Sequence, residues 1–270
     1  ADEPRAEVGE NVAVEVRENQ HVIQLGLLHK LHAHVVDNAI LELDIGNTRC
    51  KWRLVDAVGA ALADGSCAIA ELAVGLEALP ARGAVLRARA ACVRGEQVEQ
   101  QVRAAVRGVL GVEIEYARSQ PGAAGVRNSY AEPARLGVDR WLAMLAGFAS
   151  TGSAVCVFDC GSAITADLVD DEGLHRGGYI VPGIGMSRAS LLTATDRVRF
   201  DAGGYTAGVA PGTSTLQAVA HGTLLAAGAL LRAAREQFGR ICPQAPVLLT
   251  GGDAQDLLPW LDFPVSLRPH

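Results

Sequence analysis

LDIGNT at Leu43–Thr48 is matched 115 residues later by FDCGSA at Phe158–Ala163. In both segments an apolar strand runs into Asp, any residue, Gly and a small residue, and a second strand follows. Solenoid repeats have periods of roughly 20–50 residues, so this spacing does not indicate one. It predicts two homologous α/β domains, each opening with a β-hairpin that carries an Asp at its tip.

The rest of the chain alternates strand-like and helix-like segments, as an α/β fold requires. Strands are predicted at 40–43, 51–55, 60–67, 84–93, 112–116, 154–158, 164–169, 174–181 and 246–249. Helices are predicted at 69–79, 95–110, 136–149, 187–195 and 216–238, with a last one starting near Thr250–Ala254. The stretch of small polar residues at Ser150–Ser153 is the best candidate for a boundary between the two domains. We therefore expect domains at 40–150 and 151–270, and an acidic, His-bearing extension at 1–39 that lies outside the fold.

Composition excludes several functional classes. Of 270 residues, 49% are hydrophobic and 20% charged, so the chain can bury a core. The net charge of −6 argues against a generally basic nucleic-acid binder, and 4% aromatic residues argue against a base-stacking platform. No apolar run reaches the ~18–20 residues of a membrane span, and residues 1–20 do not resemble a signal peptide. Scattered cysteines then suggest reduced thiols in the cytoplasm.

The two hairpin tips have the chemistry of a nucleotide site. Glycine lets backbone N–H groups approach an anion, and small polar side chains add donors. Each Asp offers oxygen ligands to a hard cation. Either tip alone is more typical of an ordinary turn, but two in register, with the Gly-Gly turn at Thr250–Asp253, indicate a clamp for a polyphosphate and its Mg²⁺. The P-loop pattern is absent.

Six motifs in one order resemble the type III pantothenate kinases. They are DIGNTRCKW (Asp44–Trp52), RNSY (Arg127–Tyr130), LGVDRW (Leu136–Trp141), DCGSAITAD (Asp159–Asp167), GGYIVPG (Gly177–Gly183) and TGGDA (Thr250–Ala254). The resemblance implies the fold of the acetate-kinase/sugar-kinase/Hsp70/actin superfamily. The expected architecture is therefore two ribonuclease H-like (actin-like ATPase) domains with an ATP cleft between them.

The resemblance also implies roles for individual positions. The implied ATP contacts are Asp44, Ile45, Gly46, Asn47, Thr48, Arg49, Cys50, Lys51, Ser162, Gly251 and Gly252, with Asp44 facing Mg²⁺. The implied pantothenate contacts are Tyr130, Gly137, Val138, Asp139, Arg140 and Thr195, the last offered across a homodimer interface. Asp139 is the implied general base, and Asp159 the implied ligand of a monovalent cation, K⁺ or NH₄⁺.

The chemistry of Asp139 and Arg140 is compatible with these roles when the two residues are considered without the family. Phosphorylation of a primary alcohol needs a carboxylate within reach of the hydroxyl proton. A neighbouring guanidinium can bind the carboxylate of an acidic substrate in a bidentate manner. Without the surrounding motif, an Asp-Arg pair at a helix start would more often be a cap and surface pair.

The implied function is ATP-dependent phosphorylation of pantothenate to 4′-phosphopantothenate, the first step of coenzyme A biosynthesis. Two alternatives stay open: a kinase of another small acid or sugar, and a transcriptional regulator similar to the Bvg accessory factors without kinase activity. Ser162 stands where the family usually has Thr, and a further strand or helix is expected beyond His270. Lys51, the only lysine after residue 39, suits a phosphate oxygen, although an exposed strand lysine is equally typical.

Overall fold

A computed structural model describes residues 38–47, 49–194 and 207–268. Its first half contains a five-stranded sheet in the order β3-β2-β1-β4-β5. The strands are β1 (Ala39–Ile45), β2 (Cys50–Val55), β3 (Ala61–Cys67), β4 (Val85–Cys92) and β5 (Ile114–Tyr116). The first three pair antiparallel, and β1, β4 and β5 run parallel.

The second half contains a sheet of the same order, β10-β9-β8-β11-β12. The strands are β8 (Val155–Cys160), β9 (Ala163–Val169), β10 (His175–Pro182), β11 (Val247–Thr250) and β12 (Ser266–Leu267). Again the first three strands in sequence pair antiparallel. Strand β11 then pairs parallel with β8 and with β12. The repeated order confirms the internal repeat and the predicted fold class of two similar α/β sheets. A short hairpin of β6 (Gly122–Ala123) and β7 (Val126–Arg127) precedes the second sheet.

Six α-helices connect the strands of the described residues. They are α1 (Leu72–Glu77), α2 (Glu96–Leu110), α3 (Val138–Thr151), α4 (Ile184–Ala194), α5 (Thr215–Gly239) and α6 (Ala254–Leu257). Ser214 is the N-cap of the long α5, and its side chain accepts a hydrogen bond from the Gln217 N–H at 3.2 Å. This helix buries residues three to four apart, Ala220, Leu224, Ala227, Leu231, Ala234 and Phe238, against the sheet.

The two sheets are covered differently. The second sheet is buried on both faces: α5 and α6 pack on one, and α3 packs on the other through Trp141 and Met144. The first sheet buries one face under α1 and α2. Its other face carries ion pairs, in which Glu42 lies between Arg53 and Arg89.

Most predicted elements occur within two residues of their expected bounds. The helix predicted at 69–79 is instead a 3-10 turn at Ile69–Glu71 followed by the six-residue α1. The helix after the Gly-Gly turn is only four residues long. The division into domains at 150/151 stays a prediction, and the extension at 1–39 falls almost wholly outside the described residues.

Candidate functional site

A cavity of about 730 Å³ lies where the two hairpin tips face each other. Its polar lining comes from both tips, from the start of α3 and from the turn after β11: Asp44, Asn47, Arg49, Lys51, Asp139, Asp159, Ser162, Thr165 and Asp253. Four widely separated segments of the chain therefore meet at one cleft. Such a cleft between two similar units is a common place for small-molecule sites.

The first tip presents charged side chains to the cleft. Asp44 and Lys51 stand opposite each other on β1 and β2, and both are exposed. The turn closes through the Gly46 N–H, which donates to the Arg49 carbonyl oxygen at 3.1 Å. Arg49 in turn donates from Nε to the Ser66 hydroxyl at 3.1 Å. Paired strands thus place one carboxylate and two cations at the same edge of the cleft.

Other implied residues of this tip differ in placement. The side chains of Ile45 and Cys50 are buried in the core of the first sheet, so only their backbones can face a ligand. Burial raises the pKa of the Cys50 thiol to about 12, which keeps it protonated. Thr48 lies outside the described residues.

Arg94 is a residue of this tip that sequence reasoning missed. Its Nη1 donates to the Asn47 carbonyl oxygen at 2.7 Å, which ties the end of β4 to the tip. An Arg directly after a predicted strand gives no such signal, because the partner is 47 residues away.

The second tip is held by close backbone contacts. The Gly183 N–H donates to the Ser162 carbonyl oxygen at 2.9 Å. A Cβ on Gly183 would stand 2.0 Å from the Gly161 carbonyl oxygen, so only glycine permits this approach. The Oδ1 atom of Asp159 is buried, whereas Ser162 is exposed at the cleft.

The turn after β11 packs on the second tip from its other side. Gly251 has a φ of +100°, and a Cβ there would stand 2.3 Å from the Cys160 carbonyl oxygen. The Asp253 N–H donates to that same carbonyl oxygen at 2.8 Å. Gly252 lines the cavity, whereas Gly251 shapes the turn behind it.

Asp253 is a second cleft residue that the sequence reading did not single out. Burial, and then the charge of Asp256, raise the pKa of its carboxyl above the ordinary value. Its presence at the cleft follows from the Gly-Gly turn, which the motif did identify.

Asp139 lies at the cleft on the first turn of α3. Its carboxylate is exposed, and Oδ1 accepts the backbone N–H of Arg140 at 2.8 Å. A Cβ on Gly137 would stand 2.6 Å from the same oxygen, so the preceding glycine makes room for this conformation. Val138 is buried and anchors the turn. The helix start therefore points one carboxylate at the cavity and orients it by a backbone donor.

Arg140 and Tyr130 lie behind this turn rather than on the cavity wall. The Arg140 guanidinium is buried and forms a two-point ion pair with Asp167, and it donates to the Tyr130 hydroxyl at 3.0 Å. Burial opposes its charge, but the hydrogen bond and charge of Asp167 outweigh it and raise the Arg140 pKa. The structure thus separates the implied pantothenate residues into Asp139 at the cleft and this pair behind it. Thr195 lies outside the described residues.

The charges at the cleft call for bound cations. Four carboxylates line it, those of Asp44, Asp139, Asp159 and Asp253, against the two cationic side chains of Arg49 and Lys51. A polyphosphate would be repelled unless cations stood between. No group of three His, Cys, Asp or Glu that could hold a metal occurs among the described residues. The separate carboxylates that line the cleft fit Mg²⁺, because proteins usually bind this ion through one or two carboxylates plus substrate phosphates and water.

Helices that could cross a membrane are not found among the described residues.

Comparison with known proteins gives a consistent picture. The family model described as type III pantothenate kinase matches residues 40–236. A protein named type III pantothenate kinase from Pseudomonas aeruginosa (strain LESB58) is 40% identical over 228 residues, which cover 80% of this chain and 89% of that protein. One of the same name from Chromohalobacter salexigens is 38% identical over 237 residues, covering 85% and 83%.

Solved structures agree on the fold. A protein described as a conserved putative Baf family transcriptional activator from Campylobacter jejuni is 20% identical with a TM-score of 0.53, covering 84% of this chain and 90% of that one. A protein described as a putative 2-dehydro-3-deoxygalactonokinase from Sinorhizobium meliloti is 16% identical with a TM-score of 0.51, covering 85% and 91%. At these identities the likeness shows the shared two-sheet fold alone.

Proposed function

The chain belongs to the type III pantothenate kinase family and phosphorylates pantothenate with ATP, the first step of coenzyme A biosynthesis; we propose that the reaction takes place in the cleft between the two hairpin tips, with Asp139 as the general base. One observation carries this proposal: Asp139 faces the same 730 Å³ cavity as both tips. A base and a phosphate clamp must share one space for direct phosphoryl transfer.

The first tip would bind the phosphates. Lys51, Arg49 and the backbone N–H group of Asn47 supply positive charge and donors at the cleft edge. Asp44 would hold Mg²⁺ with the substrate phosphates and water. When bound, Mg²⁺ neutralises charge on the phosphate oxygens. The proposed ATP contacts of the tip are Asp44, Ile45, Gly46, Asn47, Thr48, Arg49, Cys50 and Lys51, the buried ones through their backbones.

The second tip would hold the rest of the nucleotide. Ser162 offers a hydroxyl at the cleft, and Gly252 leaves open space beside it, with Gly251 shaping the turn. Asp159 would balance its charge with a monovalent cation, K⁺ or NH₄⁺, beside the triphosphate. The excess of carboxylates at the cleft supports a cation in addition to Mg²⁺.

Transfer would proceed from these positions. The Asp139 carboxylate accepts the proton of the pantothenate hydroxyl while that oxygen attacks the γ-phosphorus of ATP. The bond from the γ-phosphorus to the β–γ bridging oxygen breaks, and ADP leaves. Arg49 and Lys51 stabilise charge on the transferring oxygens.

Pantothenate would lie against the start of α3, at Gly137, Val138, Asp139 and Arg140, with Tyr130 beside it. We propose that a homodimer completes this half of the site by contributing Thr195 from the other subunit. Support comes from apolar side chains exposed on the edge strand β10 and on α4, namely Tyr179, Ile180 and Leu191. A two-fold dimer would carry two equivalent sites.

We further propose that the enzyme acts in the cytoplasm, where ATP is supplied. All six cysteines are free, as expected of a reducing compartment.

The test of this function replaces the base. Asp139→Asn keeps the side-chain shape and removes the proton acceptor, so turnover should fall at least ~10²-fold with substrate binding largely kept. Coupled ADP release with pantothenate measures both quantities. Glu96→Gln is the matched control, since Glu96 is also an acidic residue in the first turn of a helix, α2, and does not line the cavity. Near-normal turnover in Asp139→Asn would remove Asp139 from the mechanism.

A further inference from the structure

A buried polar network lies behind the first turn of α3. It joins Arg140 of α3 to Asp167 of β9 and to His175 at the start of β10. The side chains of Arg140, Asp167 and His175 are 4%, 3% and 0% exposed. Charged groups this deep in a protein need partners for their polar atoms, and this network provides them.

Asp167 is the centre of the network. It accepts Arg140 Nε on Oδ2 at 2.9 Å and Arg140 Nη2 on Oδ1 at 2.5 Å. His175 Nε2 lies 3.0 Å from Oδ1 as well. A carboxylate in this position can only accept, so Nε2 carries the proton. Nδ1 lies 3.1 Å from the Ser129 hydroxyl, so the ring is held between Asp167 and Ser129.

Tyr130 is fixed by the same groups. Its hydroxyl accepts from Arg140 Nη1 at 3.0 Å. Its ring stacks on His175 with 6.0 Å between ring centroids and an interplanar angle of 19°. Its backbone N–H donates to the Asn128 side chain at 3.0 Å. A side chain held at its tip, its face and its backbone has little rotational freedom.

Strand β10 makes room for the pair. A Cβ on Gly178 would stand 2.2 Å from Asp167 Oδ1 and 2.9 Å from Arg140 Nη2. The exposed edge strand therefore passes directly over the ion pair because Gly178 has no side chain. The network is built into the packing of α3 on the second sheet.

The network also reaches the base. The backbone N–H of Arg140 donates to Asp139 Oδ1 at 2.8 Å, so the residue that anchors the network also orients the carboxylate. Stability alone gives a weak account of this arrangement, because a buried ion pair can often be exchanged for apolar side chains at little cost.

We propose that Asp167 and His175 are positioning residues for the acceptor substrate. They hold Arg140, and through it the Tyr130 ring and the first turn of α3, in the arrangement that receives pantothenate beside Asp139. The inference rests on the proposed function, in which Tyr130 and the start of α3 contact pantothenate. Neither residue touches the nucleotide cleft, so the effect belongs to one substrate only.

The experiment separates the two substrates. His175→Gln retains a donor toward Asp167 but removes the ring under Tyr130 and the ring nitrogen that contacts the Ser129 hydroxyl. We expect the KM for pantothenate to rise about 10-fold, the KM for ATP to stay within about twofold, and kcat to fall less than the pantothenate KM rises. Initial rates with each substrate varied in turn, on full-length enzyme, give these values.

A control removes another two-point ion pair between an arginine and a carboxylate, far from the site. Arg118 grips Glu99 by two points, at 2.7 and 2.6 Å, in the first half of the chain. Glu99→Gln should lower the melting temperature and leave both KM values unchanged. If His175→Gln does not fold, Ser129→Ala removes only the outer hydroxyl from an exposed loop residue and should raise the pantothenate KM about 2–3-fold.

Two results would overturn the inference. One is an unchanged pantothenate KM in the folded variant. The other is an equal rise of both KM values, which would mean general loosening of the fold. Absence of pantothenate phosphorylation in the wild-type enzyme would instead refute the proposed function, and with it this inference, before any variant is compared.

Discussion

The first hairpin tip presents its aspartate to solvent beside Arg49 and Lys51, whereas the second buries one oxygen of its aspartate. The two tips share one strand order and one Asp-x-Gly pattern. The backbone of the second tip is in close contact with two glycines, Gly183 on one side and Gly251 on the other. The same motif therefore yields an exposed, charged edge of the cleft in one half and a closely packed backbone turn in the other.

The largest effect is expected from removing the exposed carboxylate of the first tip, that of Asp44. Asp44→Asn should abolish Mg²⁺-dependent turnover, a larger loss than the ~10–100-fold expected from removing an outer-shell partner of a metal. A titration of Mg²⁺ against ADP release measures it. Asp64→Asn is the control, since Asp64 is an exposed carboxylate on the same sheet that does not line the cleft. A folded Asp44→Asn enzyme with normal Mg²⁺ dependence would make Asp44 a turn residue only.

The second tip should respond to a different ion. We expect the wild-type enzyme to be activated strongly by K⁺ or NH₄⁺ and weakly by Na⁺, and Asp159→Ala to lose that activation while still requiring Mg²⁺. Rates in matched chloride buffers of each cation test this. Equal wild-type rates in Na⁺ and K⁺ would contradict a selective cation at Asp159.

Rigidity can be compared by the same substitution in each tip. A Cβ on Gly183 would lie 2.0 Å from a backbone oxygen, whereas one on Gly46 would lie 3.4 Å from its nearest neighbour. Gly183→Ala should therefore lower the free energy of unfolding by about 1–3 kcal/mol, as overpacking does. Gly46→Ala should change it by less than about 1 kcal/mol. Urea unfolding followed by circular dichroism gives both values, and equal losses would mean that the tips are equally rigid.

Local patterns predicted how each sheet is covered. The run AVCVF at 154–158 is apolar throughout, which is typical of a strand buried on both faces, and β8 is so buried. The segment at 84–93 alternates with Arg87 and Arg89, and β4 has one charged face, where Arg89 pairs with Glu42. Residues within one strand report their own surroundings, so these features can be read from sequence.

Contacts between side chains that lie far apart in the sequence could not be predicted in this way. Arg140 suggested an anchor for a substrate carboxylate, but its guanidinium is paired with Asp167, 27 residues along the chain. Arg94 binds the first tip from 47 residues away. A pattern shows that a cation is present, whereas only the packing of α3 on the second sheet shows which carboxylate takes it.

The smallest expected difference between the two halves of the molecule is in how one carboxyl group of each half makes stability depend on pH. In the second half, burial and then Asp256 raise the pKa of Asp253 above its ordinary 3.8. In the first half, burial works against the charge of Glu42, but hydrogen bonds from Arg53 and Arg89 outweigh it and lower its pKa below 4.5. Ionised Asp253 therefore costs stability in the folded state, whereas ionised Glu42 contributes it.

Asp253→Asn should raise the melting temperature by about 1–2 °C at pH 7, since the group is partly solvated and its effect is screened. The raised folded pKa fixes the pH window: both states are protonated below about pH 3.8, so the gain vanishes there, and it is complete above the folded pKa. Glu42→Gln should show the reverse, a loss at neutral pH that disappears as the pH falls below 4.5 through the lowered folded pKa. Thermal melts from pH 3 to 8 measure both variants. A stability loss in Asp253→Asn at pH 7 would mean that the carboxylate is held by favourable contacts at the cleft, as the Glu42 carboxylate is by its two arginines.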